Sequence, residues 1–381
     1  MQRTIFDTEH EAFRDAVKTF ASRTLAPRTE AFRTNRLIDR EAWLEAGKQG
    51  LLGLGVPAAY GGTEAGDYRF NAILTEELAK VSAALPSAFG IHVDAVAPYL
   101  VELTTEEQRR HWLPGFCTGQ TIAAIAMTEP SGGSDLGALR TRAEPHGSGW
   151  TLNGSKTFIT NGTSADLVIV AARTSHEQGG RGISLFVLES GMPGFRRGSK
   201  LDKIGQPEAD TAELFFDDVK IGPEQLLGEL NRGFVYMMER LPQERISAAV
   251  SNLAHARQIF AETVDYAKER TAFGNPIGSF QHNKFVLADL STQLDVTQAY
   301  IDHCIVAHSQ RQLTPVDAAK AKWWSAQVQN TVLDACVQLF GGYGYMQEQR
   351  VARAWADGRV TKIWAGSNEI MKELIGRDLG F

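Results

Sequence analysis

Three segments near the C-terminus constrain this chain more than any other feature. Residues 246–271, 284–311 and 315–340 each repeat apolar side chains at helical spacing. Helices of that length bury their apolar stripes by lying against one another, so a bundle is expected over residues 228–381. The middle of the chain has a different rhythm. Over residues 123–227, short β-type runs at 167–171, 183–187 and 212–216 alternate with turns. They lack the long intervening helices of a parallel sheet, so a small antiparallel β-domain is expected there. Within it, Trp150-Thr-Leu152, Asn153-Gly154 and residues 156–160 read as a hairpin, because Asn-Gly readily takes the positive φ of a tight turn.

Residues 1–122 are helical again. Thr8 and Glu11 have capping-box spacing, and Phe13, Val17 and Phe20 then share one face. Further helices are expected at 40–50, 70–81 and 105–112, broken by Pro57, Gly61-Gly62 and Pro86. The predicted fold class is α+β: an N-terminal helical domain (1–122), a central antiparallel β-domain (123–227) and a four-helix-type bundle (228–381).

Composition removes several function classes. A net charge of −6 argues against nucleic acid or an anionic membrane as the main partner. No stretch is read as the ~20 apolar residues of a membrane span. The first ten residues lack a signal peptide's apolar core and carry acids early, so a cytoplasmic location is expected, with a removed presequence as the alternative. Cys117, Cys304 and Cys336 are odd in number and far apart, which predicts buried free thiols rather than a disulfide or zinc framework. The nine histidines show no metal-ligand spacing, and no metal site is expected. His92 reads as a pocket or core residue, and Trp323-Trp324 as core or subunit interface.

Two strings carry potential chemistry on their own terms. Met127-Thr-Glu-Pro-Ser-Gly-Gly-Ser-Asp135 combines hydroxyls with glycines, so bare backbone amides can approach a ligand; equally, it can be a plain connecting loop. No Gly-x-Gly-x-x-Gly follows a strand and no Walker loop is present, so a Rossmann or P-loop nucleotide site finds no support. Glu244 is followed by Ser247, Ala248 and Ser251 at spacings of three, four and seven. That stripe of small side chains either leaves room for a ligand beside the carboxylate or admits a neighbouring helix.

Four motifs stand together in one order: Met127-Thr-Glu-Pro-Ser-Gly-Gly-Ser-Asp135, Lys156-Thr-Phe-Ile-Thr-Asn-Gly162, Arg270-Thr-Ala-Phe-Gly274 and Phe340-Gly-Gly-Tyr-Gly344. In that order and spacing the chain resembles the acyl-CoA dehydrogenases, FAD flavoproteins with the same helical, β, helical organisation, over essentially its whole length. The resemblance implies FAD between the β-domain and the C-terminal helices. Met127 and Thr128 would bond the flavin's pyrimidine edge, Phe158 stands where the family usually has tryptophan beside the flavin, and Thr160 would reach its N5 region. Arg270, Phe273 and Gln281 match positions that bind the adenylate half of a neighbouring subunit's FAD. Gln338, Gly341 and Gly342 match a dinucleotide contact from the bundle, and Ser367 and Glu369 match positions near the adenosine or pyrophosphate. Ser134 resembles the serine that contacts the substrate's pantetheine arm.

Ile363-Trp-Ala-Gly-Ser-Asn-Glu-Ile370 departs from the family's common pattern. Many members carry the catalytic glutamate directly before this glycine, where the present chain has Ala365. Alanine cannot take a proton, yet it keeps the backbone N–H that the family aims at the thioester carbonyl. Leu241-Pro-Gln-Glu-Arg-Ile246 resembles the long-chain and isovaleryl-type branch, whose base lies on this helix, so Glu244 is expected as the base. Arg245 would set substrate and helix geometry, or else pair with Glu239 at the surface. Trp364, Ala365 and Gly366 would border the substrate. The resemblance further implies a homotetramer and an electron-transferring flavoprotein as electron acceptor. An acyl-carrier-protein dehydrogenase, a flavin monooxygenase on the same fold and a non-catalytic acyl-CoA-binding flavoprotein are the alternatives.

Overall fold

The computed structural model describes residues 3–175 and 179–381. The chain opens with helices α1 (Thr8–Phe20), α2 (Thr29–Asn35), α3 (Arg40–Lys48), α4 (Tyr68–Val81), α5 (Ala84–Gly90), α6 (Ala97–Glu102) and α7 (Glu106–Thr118). Asp7, rather than Thr8, caps α1: its carboxylate accepts the N–H groups of Glu9 and His10, and the His10 ring accepts the Asp7 N–H. The reciprocal logic of a capping box is kept one residue earlier, with histidine in the glutamate's role. Pro86 does not interrupt the chain. It lies in the first turn of α5, where a missing N–H leaves no acceptor empty.

A wide helical turn at Ile91–Val96 joins α5 to α6. The resulting rod, Ala84–Glu102, has the length and hydropathy of a membrane span, contrary to the expectation that none exists, and most of it is packed inside the molecule. Leu85, Ala88 and Phe89 face Trp43 and Phe32 on one side, while Val96, Tyr99 and Leu100 join the core beneath the sheet.

Strands β1 (Ala123–Ala126), β2 (Arg142–His146), β3 (Gly149–Thr160), β4 (Leu167–Arg173), β5 (Ile183–Glu189), β6 (Phe195–Lys200), β7 (Thr211–Ile221) and β8 (Leu226–Leu227) form one sheet. Its order is β6-β7-β3-β2-β4-β5-β8, with β1 also on β4. Most neighbours are antiparallel, but β1 and β2 both run parallel to β4. Parallel neighbours need a long crossover, which the β2–β3 hairpin supplies between β1 and β4. β4 is buried on both faces: Leu167, Ile169 and Ala171 meet Trp112 and Phe116 of α7, while Val168, Val170 and Ala172 meet Phe186, Leu188 and Phe216.

Asn153-Gly154 is not the hairpin turn. The reversal lies between β2 and β3 at Gly147, and β3 runs unbroken through Asn153 and Gly154. Gly154 instead marks a register shift against β7, with φ +147°, and a Cβ there would sit 2.6 Å from Thr141 Oγ1. Asn153 staples the shift from the side. Its Nδ2 donates to Asp218 Oδ1 (3.0 Å) and its Oδ1 accepts the Asp218 N–H (2.9 Å), holding Asp218 at φ +51°. A second shift, between Lys156 and Ile159, leaves Phe158 at φ +58° and out of the ladder.

The bundle comprises α8 (Gly233–Glu269), α9 (Gln281–Ser309), α10 (Pro315–Phe340), α11 (Arg350–Gly358) and α12 (Asn368–Asp378). Leu253, Ile259, Leu294, Ile305, Val332 and Leu333 form its centre. α8 begins well before residue 246 because its first turns serve a different core: Tyr236 and Met237 pack beneath the sheet with α6 and α7. One helix therefore ties the sheet to the bundle. All three cysteines are free and buried, as expected.

Candidate active site

Glu244 sits where α8 crosses the Ala84–Glu102 rod. Gln243 Nε2 donates to the Asp94 carbonyl (2.9 Å) and Ser247 Oγ to Asp94 Oδ2 (2.5 Å), fixing the crossing on both sides of the glutamate. Glu244 Oε1 is shielded from solvent and has no hydrogen-bond partner. Burial pushes this carboxyl up to about 7; the cations of Arg245 and Arg240 oppose the shift, and Asp94 adds to it. Tyr99 lies close by with its own hydroxyl buried and unpartnered. A carboxylate short of hydrogen bonds and poised near neutrality is a competent proton acceptor.

The small-residue stripe beside it divides. Ser247 is taken up by packing, bonded to Asp94 and within reach of Gly90, where a Cβ would lie 3.6 Å from its Oγ. Ala248 and Ser251 remain half-buried. Arg245 is buried with Nε unpartnered, and Glu239 instead pairs with Arg240 at 3.4 Å, so the proposed surface pair is not formed. Arg240 is itself held by Glu102 at 2.6 Å and lies over the Tyr99 ring at 5.0 Å.

The strand ends carrying Met127, Thr128, Phe158 and Thr160 are stitched together. Lys156, fully buried, donates to the Met127 carbonyl (3.0 Å) and pairs with Glu129 (2.8 Å); Glu129 also accepts the N–H groups of Arg140 (2.6 Å) and Thr141 (2.9 Å). The Thr157 N–H donates to the Thr128 carbonyl at 3.0 Å. Against this fixed backing Phe158 stands 69% exposed, an aromatic side chain with one face bare. Ser134 is exposed on the loop beyond.

A second set gathers at the far end of α8. Arg270, Gly341, Gly342, Tyr266, Tyr343 and Met346 line one groove of about 580 Å³, and the Arg270 guanidinium lies 5.8 Å from the Tyr343 ring centroid. Phe273, at φ +50° and 95% exposed, stands on the adjoining two-stranded turn, and Gln281 is the first, exposed residue of α9. Gln338 is exposed on the last turn of α10. These residues share one neighbourhood, while the Met127–Thr160 set belongs to the sheet.

The third set is the loop before α12. Ser367 caps α12 by accepting the Ile370 N–H, Glu369 lies exposed in its first turn, and Trp364 has Nε1 buried without a partner. Among the described residues the Ala365 N–H finds no acceptor in the chain. It is a donor left free on the loop before α12.

Sequence reasoning missed Asp94, Lys156 with Glu129, and Lys322. Only Asp94 stands as a charge inside an apolar run, the one signal the sequence carried, since a buried charge demands a partner; Glu129, Lys156 and Lys322 lie among polar or charged neighbours that hide their burial. His92 proves to be core: its ring stacks on Phe116 at 3.6 Å, accepts the Ala123 N–H at Nδ1 (3.2 Å), and faces the Phe116 carbonyl with Nε2. Burial pushes it down to about 3, so it stays neutral. Trp324 is partly exposed on α10, with Nε1 on Thr297 Oγ1 at 3.0 Å.

The residues present fit a flavin dinucleotide. At Gly132, Gly341 and Gly342 a Cβ would meet no protein atom, which leaves backbone open to a ligand. Phe158 offers an uncovered ring, and the Arg270 groove offers a fork of donors suited to pyrophosphate.

Comparison with known proteins agrees. The N-terminal, middle and C-terminal domains of acyl-CoA dehydrogenase match residues 7–120, 124–219 and 231–380. Long-chain specific acyl-CoA dehydrogenase, mitochondrial, of Sus scrofa is 46% identical over 379 residues, 99% of this chain and 88% of that protein. Isovaleryl-CoA dehydrogenase, mitochondrial, of Pongo abelii is 35% identical over 373 residues, 97% of this chain and 88% of that protein. A crystal structure of acyl-CoA dehydrogenase from Geobacillus kaustophilus superposes with a TM-score of 0.97 at 41% identity, covering 99% of both chains. The carrier-protein, monooxygenase and binding-only alternatives are not favoured by these relatives. A helical domain, a sheet and a bundle joined by α8, with open glycines where a flavin would lie, identify the chain as a member of the acyl-CoA dehydrogenase family, FAD-dependent oxidoreductases acting on acyl-CoA thioesters.

Proposed function

We propose that Glu244 is the base that removes the α-proton of a long-chain acyl-CoA, giving the trans-2-enoyl-CoA. The observation that carries this reading is the buried, unpartnered Glu244 Oε1 in a chain whose residue 365 has no acidic group. An ordinary solvated carboxylate is too weak a base for a thioester α-proton, and a carboxyl held near neutrality narrows that gap. Bound FAD supplies the acceptor for the β-hydrogen, which leaves as hydride. The free Ala365 N–H donates to the thioester oxygen as enolate charge develops. Arg245 sets the geometry of the Glu244 turn, Ser134 meets the pantetheine arm, and Trp364 with Gly366 borders the substrate.

Met127, Thr128, Phe158 and Thr160 hold the reactive end of the cofactor. Arg270, Phe273, Gln281, Gln338, Gly341 and Gly342 hold an adenylate half, and Ser367 and Glu369 sit nearer its pyrophosphate. At the helical rise, Glu244 and Arg270 are separated by roughly 39 Å along α8, more than one dinucleotide spans. From its match to the family's neighbouring-subunit position, the Arg270 groove is read as serving a neighbouring copy's FAD in a homotetramer, with an electron-transferring flavoprotein taking the electrons onward. Long acyl chains are favoured by the 46% identical relative's own specificity.

Anaerobic titration of the FAD-loaded enzyme with saturated acyl-CoAs of graded length tests the proposal. Flavin bleaching should be strongest with long chains and should fail in Glu244→Gln. Undiminished bleaching in that variant would remove Glu244 from the mechanism.

A further inference from the structure

The loop that carries Ala365 is folded against its own residue preference. Ala365 holds φ +51°, a left-handed conformation that side-chain-bearing residues avoid, and Gly366 follows at φ +87°. Something outside the loop must hold it. On one side Ser367 caps α12, and Met371 presses on Gly366 so closely that a Cβ there would sit 2.5 Å from its Cε.

On the other side is Lys322, in the interior of α10 with none of its surface exposed. Its Nζ donates to the Gly366 carbonyl at 2.6 Å, its one side-chain hydrogen bond among the described residues. No carboxylate lies within ion-pair distance of it among those residues. The charged groups facing it are Arg245, a second cation on α8, and, with opposite sign, Glu369 of α12. A buried ammonium without a counter-ion is costly, and together with the adjacent Arg245 burial pushes this one down to about 8. No packing need explains a lysine here, since a methionine would fill the same volume. Its one distinctive contact is the carbonyl of the strained loop.

We propose that Lys322 is a positioning residue for the thioester carbonyl: its bond to the Gly366 oxygen locks Ala365 in the left-handed turn that leaves the Ala365 N–H free for substrate. The inference rests on the reading of Ala365 as the carbonyl donor, and α10 thereby enters the chemistry of a site whose base is on α8.

The test compares two ligands on FAD-loaded protein by calorimetry: a long-chain trans-2-enoyl-CoA, and the thioether analogue of the same length that lacks the carbonyl. Lys322→Met should weaken the enoyl-CoA roughly tenfold, the scale of one charged hydrogen bond, and leave the thioether unchanged. Ala365→Gly removes the strain, so the Lys322→Met loss should shrink by half or more in the double variant, a coupling that independent sites do not show. Lys322→Gln, which keeps a donor, should retain part of the enoyl-CoA preference and supplies the comparison where the methionine variant does not accumulate as holoprotein. Equal loss for both ligands, or an undiminished loss in the glycine background, overturns the assignment. An unchanged enoyl-CoA preference in both Lys322 variants overturns it alone. Equal affinities for the two ligands in the unmodified enzyme overturn the donor reading as well.

Discussion

The two ends of α8 are built on opposite principles. Around Glu244 the helix is enclosed: Asp94, Gln243 and Ser247 fix the crossing, Arg240 is held by Glu102, and the glutamate's free oxygen sees no water. Around Arg270 the helix ends in the open, beside a Phe273 that is 95% exposed and two glycines, Gly341 and Gly342, at which a Cβ would meet no protein atom. The enclosed end has its electrostatics set by the fold before any ligand arrives. The open end presents donors and apolar surface that its own chain does not use. A single helix thus carries one enclosed end and one open end, and substitutions at the two ends should fail in different ways.

The largest contrast is expected at the enclosed end. Glu244→Gln should keep its FAD and lose a factor of ~10²–10⁴ or more in the rate of flavin reduction by acyl-CoA, measured by anaerobic stopped flow. Next comes the stitching behind Met127 and Phe158. Lys156→Met leaves Glu129 buried and unpaired, so it should cost about 3–5 kcal/mol in unfolding free energy by urea titration, far more than a surface lysine change. At the open end the loss should appear in affinity instead. Arg270→Gln should weaken FAD binding by roughly 10- to 100-fold while the FAD-saturated variant reduces at a near-normal rate. A slowed chemical step in FAD-saturated Arg270→Gln would break the division between the ends.

The smallest effect is a pH profile. On the proposed role of Glu244 as base, it must be ionised in the free enzyme to act, so reduction by limiting acyl-CoA should rise about tenfold per pH unit toward neutrality and level off above about 7. Stability should move the other way. The folded-state value lies above the ordinary 4.5, so the folded chain binds the proton more tightly than the unfolded chain. Glu244's contribution is then fully present below about 4.5 and is lost as pH rises through about 7. Glu244→Gln should remove that slope from the unfolding curve.

Much of the architecture was legible because it follows from periodicity. The β4 and β5 runs and the helix Pro315–Phe340 announce themselves through apolar spacing and a proline at the helix start. The start of α8 was hidden because its first turns belong to a different core, and α11 and α12 are too short to impose a pattern. In the candidate site, Ala365 and Glu244 could be paired only through family resemblance, since nothing in local sequence tells a buried glutamate from a solvated one. Of the groups around Glu244, Arg240 and Arg245 are local, but Asp94 and Tyr99 come from far away in sequence. Asn153-Gly154 misled for a plain reason: a residue pair suited to positive φ serves a bulge as well as a turn.

That bulge has a counterpart. Leu152 pairs with Val219, but Gly154 with Phe216, so β7 has gained a residue at Asp218; Lys156 pairs with Leu214, but Ile159 with Ala212, so β3 has gained one at Phe158. The two are dislocations of opposite sign, and beyond them the ladder returns to its original phase. The flaw is thereby confined to a few rungs, and the strand turns an aromatic ring outward without reversing the faces of its neighbours on either side. Deleting Phe158 alone would send the mismatch through Ile159 and Thr160 to the strand's end. Deleting Phe158 and Asp218 together would heal the lattice and leave a regular sheet with no aromatic side chain to offer.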